Sequence, residues 1–533
     1  MENTMRVLVA EKIAARGIEI LQEKFDVDIE LSLTHEELVE KIVDYDALIV
    51  RSATQATRDV IEAGKNLKVI GRAGVGVDNV DVTAATERGI IVCNAPTSNI
   101  VSAAEQTMAL MLACARKTPQ ANASMKAGKW ERSKFTGTEL FEKTLAIFGL
   151  GRIGSLIAER ATAFGMRVIA YDPYASEARA QSLGVELMTE PREIMKQADV
   201  ITVHLPKTKE TIGMFDESSL EYMRDGVILV NAARGGIYEE EALVSGLRSG
   251  KIGAVGIDVW EKEPCTDSPL REFDNAIMTP HLGASTKEAQ ARAGIQIAEY
   301  VSLGLEGRMV ATAVNVTPVP ADVMVKVRPY INLAQDMGTM AAQLITGGIE
   351  KVEITSVGLL SEMDTRIITT AALKGMLASV TSDPVNFVNA NYLAEVRGIS
   401  IEEKKRVDVY DYTSLVILEV TTSTGTVKIA GSCIGKNNDP RIVSLFSYDL
   451  DIAPSEHMAF FLYPDRPGVI GKVGTVLGSA GVNVGLMQVG RSETGGQALM
   501  AIAVDTPLSA AILTELTSTS SGEPMDEAWY VQL

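Results

Sequence analysis

Residues 144–154 read Thr144-Leu145-Ala146-Ile147-Phe148-Gly149-Leu150-Gly151-Arg152-Ile153-Gly154, an apolar run that breaks into three glycines spaced GxGxxG and opens a helix-compatible stretch. The physical reading is a buried strand, a tight turn and a helix. Gly149 permits the turn, Gly151 lets backbone approach a pyrophosphate, and Gly154 allows the helix to pack close to the strand. Free N–H groups at the helix N-terminus would offer hydrogen bonds and positive potential to phosphates. Many glycine-rich turns share this spacing, so its context decides. The next apolar run ends in Tyr171-Asp172, about twenty residues beyond the motif, where a carboxylate can bind ribose hydroxyls. No arginine directly follows Asp172 to receive a 2′-phosphate, so NAD is the expected cofactor.

Further runs at 167–171, 199–204, 227–231, 253–258 and 276–279 are rich in Val, Ile and Ala and hardly alternate. Strands buried on both faces of a parallel sheet have that composition. Upstream, shorter runs at 6–10, 46–50 and 68–71 alternate with amphipathic stretches, one of them opened by a capping box of Thr34 and Glu37. The pattern predicts a second α/β unit. Residues 99–118, largely apolar and free of glycine, read as a long buried helix joining two lobes. After Pro318 and Pro320 the texture becomes irregular α+β as far as Pro454, and these prolines mark expected linkers. Residues 458–533 read β-α-β-β-α-β: strand 458–462, helix 467–479, strands 482–490 and 498–504, helix 508–517 and strand 529–532.

A chain of 533 residues exceeds what one hydrophobic core supports and implies three or four domains. Its 46% hydrophobic and 22% charged content is that of a globular protein, with no apolar run near the eighteen or so residues of a membrane span. The short run at 6–10 meets charge too soon for a signal peptide, so a cytoplasmic location is expected. The four cysteines, Cys93, Cys114, Cys265 and Cys433, are scattered without metal spacing, which predicts neither disulfides nor a metal site. A net charge of −19 with no basic cluster argues against nucleic acid. An anionic small substrate would need arginines gathered locally.

Three segments follow predicted strands: Asn231-Ala232-Ala233-Arg234-Gly235-Gly236, Asp258 to Pro264, and Thr279-Pro280-His281-Leu282-Gly283-Ala284. They belong at the carboxyl edge of the sheet, where open α/β folds bind ligands. Oxidising an alcohol by hydride transfer needs a base, and histidine has a suitable pKa. A neighbouring carboxylate orients the ring, and a guanidinium clamps a substrate carboxylate. Of the four histidines, His35 and His457 read as surface residues. His204 reads as structural or as lining the cofactor cleft, while His281 sits in a loop that can reach a cleft.

These segments, with Gly71-Arg72-Ala73-Gly74-Val75-Gly76-Val77-Asp78-Asn79-Val80-Asp81, resemble the D-isomer-specific 2-hydroxy acid dehydrogenases over residues 5 to 317. The branch most similar, which also carries a run like Lys129-Trp130-Glu131-Arg132, acts on D-3-phosphoglycerate at the head of L-serine biosynthesis. The resemblance implies that His281 is the acid/base, Glu263 its partner and Arg234 the substrate-binding arginine. Asp258 would hold the nicotinamide carboxamide, with Arg152, Ile153, Ala232, Gly283 and Ala284 also touching NAD. Arg51, Arg72 and Asn99 would meet the substrate, Arg132 a neighbouring subunit's site, and Trp130 would anchor subunits of a homodimer or homotetramer. The implied division is residues 1–97 with 288–316 for substrate, 98–287 for NAD, 317–454 as an intervening regulatory unit and 455–533 as an ACT unit. The expected fold is two Rossmann-like doubly wound lobes, an α+β unit and a ferredoxin-like βαββαβ module.

The turn Asp465-Arg466-Pro467-Gly468, with Gly481-Val482-Asn483-Val484, resembles the ACT module, which binds amino acids at pairwise interfaces. L-serine is the expected effector, with Tyr463, Asp465 and Asn483 as its contacts. Residues 385–390 and 441–443 resemble an intervening domain, in which Lys436 and Arg441 form either an anion site or a solvated basic patch. Two rival readings remain: a glyoxylate- or D-lactate-type dehydrogenase, and a non-catalytic NAD-sensing regulator. The arginines and two added units argue against the first, and the complete Arg, Glu and His set against the second.

Overall fold

The structure, a computed structural model, describes residues 4–381, 384–408, 411–518 and 525–533. The first sheet has five parallel strands: β1 (Arg6–Val9), β2 (Asp26–Ile29), β3 (Ala47–Val50), β4 (Val69–Arg72) and β5 (Ile91–Asn94), ordered β2-β1-β3-β4-β5. Its central residues are buried because helices cover both faces. One covering helix, Lys287–Leu305, comes from far along the chain. It approaches helix Ala15–Gln22 so closely that a β-carbon on Gly17 would lie 2.4 Å from the Gly294 carbonyl oxygen. The capping box forms: Thr34 Oγ1 accepts from the Glu37 amide at 3.3 Å, and Glu37 accepts from the Thr34 amide at 2.8 Å.

The second sheet is also parallel, with β6 (Thr144–Phe148), β7 (Arg167–Tyr171), β8 (Glu186–Met188), β9 (Val200–Val203), β10 (Val227–Asn231), β11 (Ile252–Ile257) and β12 (Ala276–Met278). The order β12-β11-β10-β9-β6-β7-β8 reverses direction between β6 and β9, the switch point where such sheets bind ligands. The long helix Ile100–Arg116 packs against β10 and β11. A β-carbon on Gly256 would sit 3.0 Å from Leu110 Cβ, so the small residue sets this close approach.

A third, mixed sheet comprises β13 (Ile349–Gly358), β14 (Ser400–Arg406), β15 (Ser414–Thr422), β16 (Gly425–Ile434), β17 (Asp439–Leu445) and β18 (Tyr448–Ile452), in the order β14-β13-β15-β16-β17-β18. Buried residues alternate along β15, as a sheet with one packed face requires. Helices Ala321–Leu344 and Arg366–Ala378 cover that face. The last sheet is antiparallel, with β19 (His457–Pro464), β20 (Val484–Arg491), β21 (Gln497–Val504) and β22 (Glu527–Gln532) ordered β20-β21-β19-β22. Helices Val469–Ser479 and Ala510–Thr517 cover one face.

The other face of the last sheet joins the core of the third unit, so that Met458, Phe460, Leu499 and Val531 share one cluster with Leu333 and Val416. This packing corrects one sequence expectation. His457 is not a surface residue: it is 8% exposed, with Nδ1 2.7 Å from the Tyr530 hydroxyl and its ring stacked on that tyrosine. Among the described residues, no helix is long and apolar enough to cross a membrane.

Candidate active site

The glycine loop after β6 is shaped by contacts that forbid side chains. Gly149 has φ of +99°, and a β-carbon there would lie 2.6 Å from the His204 carbonyl oxygen at the end of β9. One on Gly154 would lie 2.1 Å from the Gly149 carbonyl oxygen, while Gly151 meets nothing within 4 Å. Of the three, Gly151 alone has open space where a side chain would project, room that lets a pyrophosphate approach the backbone. Helix Arg152–Ala163 starts at Gly151 without a side-chain cap, which leaves first-turn amides available to an anion. Asp172, just past β7, accepts from the Leu150 amide at 2.8 Å and the Tyr174 amide at 2.9 Å. It thus braces the loop, and each carboxylate oxygen keeps capacity for another donor. Arg152 is exposed and Ile153 half-buried at the same helix start. These residues fit a dinucleotide.

Beyond β11 and β12, Asp258 organises the neighbouring loop. It is 0% exposed. It accepts from the amides of Leu282 at 2.7 Å and Gly283 at 2.8 Å, and from Thr279 Oγ1 at 2.5 Å. The His281 amide donates to the Asp258 carbonyl at 2.9 Å. These bonds hold His281 at φ of +54°, an uncommon conformation outside glycine that the loop over-determines. The imidazole is exposed, and its Nδ1 is 2.8 Å from Glu263 Oε2. Glu263 Oε1 in turn accepts from the Trp260 amide at 3.1 Å. With Nδ1 engaged by a carboxylate, Nε2 is the ring nitrogen left able to exchange a proton in the cleft.

His204 has the opposite character. Its Nε2 is 2.9 Å from Thr202 Oγ1, its Nδ1 has no partner, and burial pulls its pKa down to about 3. It stays neutral beside the glycine loop.

Three arginines converge from two lobes. Arg72, at the end of β4, has its pKa lowered chiefly by burial, with Asp78 and Glu11 opposing and Arg234 and Arg51 adding repulsion. Its Nε is buried without a partner. Arg234 comes from the loop after β10, where Asn231 Nδ2 donates to the Arg234 carbonyl at 2.9 Å and Asn231 Oδ1 accepts from Ala233 at 3.0 Å. Its guanidinium crosses toward Gly76 of the first lobe: Nη2 lies 3.7 Å from where a β-carbon on that glycine would project. Arg51 is presented by a loop whose amides at Arg51, Ala53 and Thr54 all donate to Glu11, at 2.8, 3.1 and 2.9 Å. Guanidinium groups so gathered repel one another, and an anion relieves the repulsion. Glu11, which motif reading passed over, and Asn231, which it quoted without a role, are positioning residues; the signal for each was a polar residue at the end of an apolar strand. Asn99 lies half-buried before helix Ile100–Arg116 and does not cap it. Ala232, Gly283 and Ala284 line the loops beside Arg234 and His281.

The three effector candidates are not brought together within one chain. Tyr463 is 3% exposed in the core of the last unit. Asp465 follows β19, whose Pro464 pairs with Gln497, whereas Asn483 precedes β20, whose Val484 pairs with Val504. They sit at opposite ends of the sheet, and Asn483 donates to Asp505 at 2.7 Å. In the third unit, Arg441 is paired with Asp451 at 3.3 Å.

Comparison with known proteins bears on the whole chain. The family model for the D-isomer specific 2-hydroxyacid dehydrogenase NAD binding domain matches residues 108–283. That for the D-3-phosphoglycerate dehydrogenase intervening domain matches 326–446, and the ACT domain 457–520. The D-3-phosphoglycerate dehydrogenase of Archaeoglobus fulgidus is 44% identical over 533 residues, covering 99% of this chain and 100% of the relative. The chain belongs to the D-3-phosphoglycerate dehydrogenases. Another member, from Methanocaldococcus jannaschii, is 44% identical over 501 residues, 94% of this chain and 95% of its own. As a D-3-phosphoglycerate dehydrogenase family member, the chain is an NAD-dependent oxidoreductase.

Solved structures align over a smaller part of the chain. D-lactate dehydrogenase from Escherichia coli is 28% identical, with TM-score 0.53, covering 58% of this chain and 100% of that one. An NAD-dependent formate dehydrogenase from Staphylococcus aureus, solved in complex with NAD, is 30% identical with TM-score 0.51, covering 57% and 97%.

Proposed function

We propose that the chain oxidises the C2 hydroxyl of D-3-phosphoglycerate to 3-phosphohydroxypyruvate, the first step of L-serine biosynthesis. The observation that carries this reading is the His281–Glu263 pair at 2.8 Å in a cleft that also gathers Arg51, Arg72 and Arg234. NAD, when bound, supplies the hydride acceptor. Gly149, Gly151, Arg152, Ile153 and Gly154 would hold its pyrophosphate end, Asp172 its ribose, and Ala232, Asp258, Gly283 and Ala284 its nicotinamide end. His281 Nε2 takes the hydroxyl proton, and Glu263 keeps the ring oriented and stabilises its protonated form. Arg234 clamps the substrate carboxylate. Arg51 and Arg72, with Asn99 nearby, receive the phosphate.

The substrate lobe would be residues 1–97 with 288–316, the nucleotide lobe 98–287, the intervening unit 317–454 and the ACT unit 455–533. L-serine is the proposed effector and a homo-oligomer, dimer or tetramer, the proposed assembly. Support for assembly comes from Trp130, 81% exposed, and Phe141, 60% exposed. A cytoplasmic location accords with four free cysteines.

NADH formation over a panel of D-3-phosphoglycerate, D-glycerate, D-lactate and glycolate tests the reaction. The phosphorylated acid should be preferred, and Arg72→Gln should erase most of that preference. Equal turnover of the unphosphorylated acids would assign the chain to a different 2-hydroxy acid. No turnover of any would make it a regulator.

A further inference from the structure

The five-stranded sheet has a second edge, opposite its catalytic one. Arg51 and Arg72 lie at the carboxyl ends of β3 and β4. Lys65 and Lys68 precede β4, and Arg88 precedes β5, so all three belong to the amino edge. Four residues of extended strand, about 13 Å, separate the two edges. The amino edge faces the third unit across a cavity of about 1450 Å3, into which helices Ala321–Leu344 and Arg366–Ala378 bring Arg328 and Lys374. A seam closes one side. Asn386 Nδ2 donates to the Gly89 carbonyl at 2.7 Å, and a β-carbon on Gly89 would collide with Asn386 and Asn389.

The charge inside this cleft is reversed relative to the molecule. The whole chain carries −19, yet among the described residues the lining holds Lys65, Lys68, Arg88, Arg308, Arg328 and Lys374 against Asp46 and Glu87. The two carboxylates are already engaged, Asp46 by Lys68 at 3.0 Å and Glu87 by Arg58 at 2.6 Å. Arg308 pairs with Glu306 at 3.1 Å, and Arg88 is bound to the carbonyls of Ile61 and Glu62. Lys65, Arg328 and Lys374 have no carboxylate partner among the described residues. Lys374 is half-buried, resting on the Phe387 ring at 4.7 Å and the Gln335 amide oxygen at 2.9 Å. Burial lowers its pKa, because desolvation disfavours the charged ammonium.

We propose that this cleft binds a small organic phosphate, whose anionic group lies between Lys65 of the substrate lobe and Arg328 and Lys374 of the intervening unit. Arginine and lysine from facing walls suit a phosphate. The volume far exceeds that of inorganic phosphate, and Phe387, Ile331 and Leu393 offer an apolar surface to a carbon skeleton. A ligand held by both walls favours their approach, so it acts on the seam at Gly89 rather than on His281.

Hydrogen exchange of the full-length, NAD-loaded protein tests this, with inorganic phosphate and glycerol 3-phosphate as probes and chloride of matched ionic strength as the control. Both probes should slow exchange over residues 386–393, with glycerol 3-phosphate acting at the lower concentration. Arg328→Gln combined with Lys65→Gln, both exposed positions, should weaken that protection at least about tenfold, the loss of one charge-assisted contact or more. The turnover number without added phosphate should not change. Absence of protection in the wild type, or equal protection in the double variant, overturns the site. Glycerol 3-phosphate acting no better than inorganic phosphate overturns its assignment to an organic ligand.

Discussion

In the proposed reaction His281 and Glu263 divide one task, and the division predicts how loss of the imidazole shows itself. The ring is exposed and held only through Nδ1, while the glycine loop that suits NAD stands on its own backbone contacts. His281→Ala should therefore lower kcat/KM by roughly 10²–10⁴-fold and leave the NAD dissociation constant unchanged. Steady-state rates together with a cofactor titration check both halves, and wild-type turnover would remove His281 from the mechanism. A different residue, Asp336, governs a pH effect on stability. It is half-buried on helix Ala321–Leu344, and burial raises its pKa to about 6. The folded state thus keeps the proton that the unfolded chain releases near pH 4, so stability falls as pH rises from about 4 to about 6 and stays low above. Asp336→Asn escapes that loss. It should raise the melting temperature at pH 8, and the gain should vanish below pH 4. The Arg, Glu and His set was legible in sequence because each follows a strand end in a fixed order. That Arg51 and Arg72 meet Arg234 was implied only by the family resemblance and not by local pattern, since it depends on two lobes facing each other across a cleft.

In the two parallel sheets the interior strands were legible, and some edge strands were not. β7 and β10 are five-residue strands, each with four consecutive apolar residues, and their limits follow from composition. β2 reads Asp-Val-Asp-Ile and β8 Glu-Leu-Met. Each is a short sheet edge paired on one side only, and no periodicity can declare strands of that length. The turn after β6 was fully legible, because its three glycines answer to three separate constraints. Gly154 carries the sharpest consequence. A β-carbon there would meet the Gly149 carbonyl oxygen at 2.1 Å and Ile147 Cγ2 at 3.3 Å, and no rotamer change relieves a contact with backbone. Gly154→Ala should lift helix Arg152–Ala163 from β6, cost about 1–3 kcal/mol of stability and weaken NAD binding at least tenfold or so. Thermal denaturation and NAD titration would read both, and an unchanged NAD affinity would mean that the helix position does not set the pyrophosphate site.

On the scale of the whole molecule, the last two units share one core, so an event at the terminal sheet can reach the third unit without a flexible linker intervening. Within a chain, Asp465 and Asn483 lie at opposite ends of that sheet. Asp465 is 3.4 Å from Arg491 at the end of β20, and β20 is an edge strand. A second copy paired by a two-fold axis along this edge would run antiparallel and bring its own residue 483 to the Arg491 end. The proposed L-serine site, if it used both side chains, would then be shared between chains, with Asp465 meeting the ammonium group and Asn483 the carboxylate or hydroxyl. This geometry makes a complementation prediction. Asp465→Ala and Asn483→Ala should each abolish serine binding as pure proteins. Mixed oligomers of the two should recover one intact site per pair of chains, because Asp465 from one variant faces Asn483 from the other. Calorimetry on mixed and unmixed samples measures this as recovered stoichiometry. Coupling to the active site, typically about 1–3 kcal/mol, should appear as inhibition of the mixed oligomer by L-serine. Serine binding by either pure variant, or none by the mixture, would exclude a shared site at this edge, and binding without inhibition would leave the site but remove its coupling to catalysis.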